Sequence, residues 1–124
     1  MKLTRALLFV KDLDRMAAFY AETLGLKPIA ESRTDTWIEF ETGGARLALH
    51  AIPAGIADTI EIQQPPKPRE NNPVKLIFEV ENLAAERGRL EACGVPTRPH
   101  HWGACDATDP EGNIFQLQPR DMRR

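Results

Sequence analysis

Long apolar runs, a strong net charge and a cysteine framework are all missing from this chain, and each absence narrows what it can be. The only early apolar run, Leu7-Leu8-Phe9-Val10, is ended by Lys11-Asp12 and is too short for a signal peptide or a membrane span. We therefore expect a cytoplasmic protein with no membrane partner. A formal charge of −2 gives no reason to expect nucleic acid, and the basic tail Arg120, Arg123 and Arg124 reads as solvated terminal charge. Cys93 and Cys105 have no metal-type spacing, so reduced thiols are expected, Cys93 packed at a helix end and Cys105 in a strand. What is present is a 124-residue chain, 42% hydrophobic and 27% charged, the balance of one globular domain over residues 1–124.

The chain states its pattern twice. An apolar strand, Leu3–Val10, enters a helix that Asp12 can cap, and Leu13, Met16, Ala17, Tyr20 and Leu24 fall on one helical stripe before Gly25. The second copy runs Val74–Val80, a cap at Asn82, a helix carrying the weakening Gly88, and Cys93-Gly94-Val95. Leu7 and Ile77 lie 70 apart and Gly25 and Gly94 lie 69 apart, so the copies differ by one residue inside the helix. Extended runs follow each helix: Lys27–Thr34, Thr36–Glu41 and Arg46–His50 in the first copy, and Val95–Pro99, Gly103–Thr108 and Asn113–Gln118 in the second. Thr42-Gly43-Gly44 and Asp109-Pro110-Glu111-Gly112 supply the turns. An internal repeat sets the architecture before any local preference. The fold class is α+β, two βαβββ modules forming a cup-shaped mixed sheet: module 1 over about 1–52, a Pro-rich connector over 53–73 and module 2 over about 74–120.

Strand alternation separates two faces. Ala6, Leu8, Val10, Leu47, Leu49, Phe115 and Leu117 suit a helix-backed core; Arg5, Leu7, Phe9, Trp37, Glu39, Arg46, Ala48, His50, Lys75, Glu79 and Gln116 point the other way. Two such faces around a shared space would make a concave ligand site.

Val10-Lys11-Asp12-Leu13 with Phe19-Tyr20 and Leu24-Gly25-Leu26, together with Asp109-Pro110-Glu111-Gly112-Asn113, resembles the opening and closing motifs of the vicinal oxygen chelate superfamily, which includes glyoxalase I, extradiol dioxygenases, fosfomycin-resistance transferases and bleomycin-resistance binding proteins. The resemblance implies the glyoxalase/bleomycin-resistance fold. Its enzymes hold a divalent metal with ligands from the first and last strands of each module, and those positions here are Arg5, Ala48, Lys75 and Gln116. Arginine stays protonated, alanine has no donor and lysine is cationic, so the set repels a cation.

We therefore expect no cofactor and a metal-free small-molecule binding protein of bleomycin-resistance type, with an electropositive cavity for an anionic or aromatic ligand. Arg5, Lys75, Gln116, Ala48, His50, Trp37 and Trp102 would line it, with Glu39 and Glu79 on the same faces. The other reading of these charges is a buried network in which Glu39 and Glu79 neutralise Arg5 and Lys75. The alternative function is a metal-dependent glyoxalase-like lyase, isomerase or dioxygenase whose divalent metal has moved to His50, His100 or His101 with a glutamate. A third is an interaction protein that kept the fold and lost the pocket. Whether the chain is an enzyme stays open: His50 or Glu79 could act as a base beside Arg5 and Lys75. The resemblance also implies a homodimer, by paired cups or by module exchange, which the connector would permit.

Overall fold

A computed structural model describes residues 1–120 and 122; Arg123 and Arg124 of the basic tail lie outside the described residues. The chain divides into two compact units, Met1–Glu61 and Ile62–Arg124, with the boundary inside the connector.

In the first unit β1 (Arg5–Val10) runs into α1 (Leu13–Ala18), because Asp12 accepts a hydrogen bond from the Arg15 amide and frees the chain from extended geometry. A π-helical turn, Phe19–Thr23, continues α1, and β2 (Lys27–Ile29) leads into a 3-10 turn at Ala30–Ser32. The extended run expected through Thr34 stops at this turn, where the Ser32 hydroxyl donates to the Ile29 carbonyl. The sheet is completed by β3 (Trp37–Glu41) and β4 (Arg46–Ala51) in the order β1-β4-β3-β2, with β1 parallel to β4 and the rest antiparallel. Val10, Met16, Tyr20, Phe40 and Leu49 are fully buried, so the stripe of α1 and the π turn covers the face that alternation assigned to the core.

The second unit repeats this plan after a short helix α2 (Ala54–Ala57) in the connector. Its elements are β5 (Leu76–Val80), α3 (Leu83–Ala92), β6 (Thr97–Pro99), β7 (Cys105–Thr108) and β8 (Ile114–Pro119), in the sheet order β5-β8-β7-β6. Asn82 caps α3 through the Ala85 amide, and Leu90 is the helix residue buried completely. Cys105 is buried in β7, as expected, whereas Cys93 is exposed: it ends α3 on the helix's solvent side instead of packing there.

The one-residue difference between the copies has a structural counterpart. In the second unit the Val95 amide reaches back to the Leu90 carbonyl, whereas in the first the Leu26 amide reaches back to Tyr20, one residue further. The extra residue is absorbed by the π turn, where the Leu24 amide bonds to the Phe19 carbonyl. Both copies then leave through a left-handed glycine, Gly25 at φ 78° and Gly94 at φ 82°.

The connector is held by Lys11, whose Nζ donates to the Ala57 carbonyl, by Arg98, which pairs with Glu70, and by a latch at Gly112. The Arg69 amide donates to the Gly112 carbonyl and its Nε to the Glu111 carbonyl. Gly112 has φ +89°, and a Cβ there would lie 2.5 Å from the Lys67 carbonyl oxygen, so only glycine lets the strap approach. Asp109 locks the same turn, its carboxylate accepting from the amides of Glu111 and Asn113 and from the Asn113 side chain. Among the described residues no helix is long and apolar enough to cross a membrane.

Candidate functional site

Register fixes what the open face of the first sheet carries. Arg5 stands beside Arg46, Leu7 beside Ala48 and Phe9 beside His50, while Trp37 faces His50 and Glu39 faces Ala48. At the centre is Glu39, whose side chain is only 9% exposed. Its Oε1 accepts from Arg5 Nε at 3.0 Å and from Arg46 Nη1 at 3.3 Å, and its Oε2 accepts from the Trp37 indole N–H at 3.0 Å. The Trp37 bond, helped by Arg5 and Arg46, holds the Glu39 carboxyl below the ordinary glutamate value against the opposing effect of burial. Arg46 also lies 3.5 Å from the half-exposed Glu41. His50 sits between two rings, its centroid 5.6 Å from Phe9 and 5.5 Å from Trp37. A cavity of about 530 Å³ opens at the charged end, between the segment carrying Lys2 and Arg5 and the hairpin carrying Gly44 and Arg46.

The second sheet has its own buried carboxylate. Asp106 faces Gln116 on β8 and Arg98 on β6. Gln116 Nε2 donates to Oδ1 at 3.0 Å and Lys75 Nζ donates to Oδ2 at 3.0 Å, with Arg98 Nη2 3.6 Å away. His100 Nε2 is buried 2.9 Å from Oδ2. Burial pushes the Asp106 carboxyl up; Gln116, His100 and Lys75 outweigh it and hold the group below the ordinary aspartate value. His100 stacks on Trp102 with centroids 5.0 Å apart and planes 13° apart.

These positions correct one expectation. Lys75 pairs with Asp106, not with Glu79, which is exposed and has Arg120 4.0 Å away as its recorded cationic neighbour. Register gives the reason: Asp106 faces Gln116, which stands beside Ile77, two residues from Lys75, whereas Glu79 stands beside Gln118, four residues from Lys75. His100 and His101 lie in the turn before β7 and not on a strand, and His101 is exposed. Arg5, Trp37, Glu39, Ala48 and His50 do share one face of the first sheet, and Lys75 and Gln116 meet at Asp106 on the second.

The four residues at the superfamily's metal positions do not form a ligand set. Arg5 and Lys75 donate to carboxylates, Ala48 has no donor, and Gln116 gives its NH₂ to Asp106 while its carbonyl oxygen takes the Gln118 amide at 2.8 Å. Among the described residues no group of three His, Cys, Asp or Glu side chains is arranged to hold a metal ion.

The sequence puts Arg46 on the face of Ala48 and His50 without assigning it to the site, and it leaves Arg98 and Asp106 unassigned. For Asp106 the repeat carried a faint signal, because it lies 67 residues after Glu39, close to the 68 that separates Ala48 from Gln116. Arg98 becomes visible only through the β6–β7 register.

Comparison with known proteins agrees with this geometry. Residues 6–118 match the glyoxalase-like domain family. No curated protein matches the chain. Similar solved structures include a glyoxalase/bleomycin resistance protein/dioxygenase family enzyme from Burkholderia phytofirmans PsJN, with 20% identity over 96% of this chain and 98% of that one and a TM-score of 0.71. A lactoylglutathione lyase from Agrobacterium tumefaciens has 20% identity over 94% and 92%, TM-score 0.68. An antibiotic-binding protein from Streptomyces sp. CB03234 has 21% identity over 96% and 95%, TM-score 0.65. At these identities the likeness is one of fold, and it joins a lyase and a binding protein on the same scaffold. With its repeated strand–helix–three-strand sheets and a family match that spans nearly its whole length, the chain belongs to the glyoxalase-like domain family of the vicinal oxygen chelate superfamily.

Proposed function

We propose that this protein binds a small anionic or aromatic molecule without a metal, on the open faces of its two sheets. The observation that carries the reading is that each buried carboxylate is met by two partly exposed cations. Arg5 and Arg46 are 48% and 42% exposed around Glu39, and Lys75 and Arg98 are 39% and 56% exposed around Asp106. A carboxylate held this way orients the cationic heads without removing them from reach of a ligand, and Arg presents a planar fork to an anion. The remaining carboxylates beside them, Glu41 and Glu70, are 48% and 61% exposed, where pairing is weak and screened.

An antibiotic-binding protein with this fold makes such a role familiar for the scaffold. The donor set at Arg5, Ala48, Lys75 and Gln116 argues against the metal-dependent lyase or dioxygenase reading. The test is metal analysis of the purified protein alongside a thermal-shift screen of carboxylates, phosphates and aromatic antibiotics. The expected result is no tightly held divalent ion and a raised melting temperature with an anionic or aromatic compound. Arg5→Met with Lys75→Met should weaken anionic ligands by about tenfold or more with the circular dichroism spectrum unchanged. One equivalent of bound divalent metal, or an unchanged affinity in that variant, overturns the proposal.

A further inference from the structure

The open face of the first sheet is polar at one end and aromatic at the other, and the gradient is set by register. Along β1 and β4 the paired residues run Arg5/Arg46, then Leu7/Ala48, then Phe9/His50. Glu39 adds to the middle band and Trp37 to the aromatic one. From Arg5 to Phe9 is four strand residues, about 13 Å. We infer that the ligand of this face is an elongated molecule with an anionic head at Arg5 and Arg46 and a flat aromatic tail at Phe9, His50 and Trp37.

The inference rests on the small-molecule reading above and adds a direction and a length to it. Four features of the face support the orientation. The cavity of about 530 Å³ lies at the charged end, where Lys2, Arg5 and Arg46 outnumber the carboxylates Glu39 and Glu41. Glu39 is buried, accepts hydrogen bonds on both oxygens and offers an anion no donor, so the donors for an anionic head on this face are those of Arg5 and Arg46. Leu7, 41% exposed, and the small Ala48 leave an apolar floor where a chain can lie. At the far end Phe9 is 61% exposed, and a ring placed there recovers apolar burial beside His50. The second sheet does not repeat this gradient: Glu79 and Gln118 pair where Phe9 and His50 pair in the first.

A homologous series of ω-phenylalkanoates, from phenylacetate to phenyloctanoate, tests the inference by titration calorimetry on the full chain, with hexanoate and the matching phenylalkanols as controls. Affinity should peak near phenylhexanoate, about tenfold above both phenylacetate and hexanoate, and the alcohols should bind about tenfold more weakly than their acids. Phe9→Ala, a change at an exposed position, should bring phenylhexanoate down to the affinity of hexanoate and leave hexanoate unchanged. Arg46→Met should weaken every acid and no alcohol. Affinity that rises steadily with carbon number, acids and alcohols that bind alike, or indifference to Phe9→Ala overturns the inference. If the series fails while other anionic or aromatic compounds from the screen bind, only this inference falls; if no compound of any class binds, the small-molecule reading falls with it.

Discussion

Glu39 and Asp106 occupy corresponding strands of the two sheets, and each is stabilised as an anion by a different set of donors. Glu39 relies on an indole N–H and two arginines; Asp106 relies on an amide and a lysine, with His100 and Arg98 close by. Both carboxyls lie below their ordinary values of 4.5 and 3.8. A group lowered in the folded state adds stability that is complete above its unfolded pKa and is lost as pH falls through the folded one. Acid titration of the melting temperature should therefore show a decline that begins near those ordinary values and deepens below them. Glu39→Gln and Asp106→Asn should each cost about 2 kcal/mol at neutral pH and make that acid limb shallower; an acid limb as steep as the wild type's would contradict the assignment. Glu39 could be placed from alternation in Trp37-Ile38-Glu39-Phe40. Asp106 carries a weaker signal, because the apolar residues on either side of it, Cys105 and Ala107, are small, whereas Glu39 stands between Ile38 and Phe40.

Among the elements, the π turn and the Gly112 latch record how a duplicated plan accommodates its differences. A single inserted residue that keeps both Tyr20 and the exit glycine in place must be taken up within the helix, and a wider turn does so at low cost. Deleting the exposed Glu22 restores the spacing of the second copy, and chemical denaturation should show a loss below about 1 kcal/mol. A comparable deletion in α3 removes a residue that the regular helix needs and should cost several times more. The latch predicts a contrast between glycines of the same backbone sign. Gly94→Ala meets no atom within 4 Å and should cost about 1 kcal/mol from its positive φ alone. Gly112→Ala also drives a Cβ against the Lys67 carbonyl and should cost about 3 kcal/mol, measured in the same way. The turn was legible from Asp109-Pro110-Glu111-Gly112, but the strap pressed on it was not, since nothing local to residues 67–69 announces a partner more than forty residues away.

Over the whole molecule, the two units share a plan but bury different numbers of apolar side chains. Among the described residues the first unit buries twelve hydrophobic side chains and the second six, and α3 contributes only Leu90. Buried apolar area is the main source of stability, so the first unit should hold its amides longer. Native-state hydrogen exchange should find slower exchange in β3 and β4 than in β7 and β8; equal protection would mean that the two units unfold as one. The sequence by itself determined the duplication, the strand–helix–three-strand order, the caps at Asp12 and Asn82 and the two faces of β1 and β4, because these are set by periodicity and backbone chemistry within a few residues. Tertiary structure alone decided which carboxylate meets which cation, where the connector is fastened and how the charged and aromatic bands line up. Those outcomes depend on register between strands far apart in the chain, and a shift of one residue would have turned every one of these side chains to the opposite face.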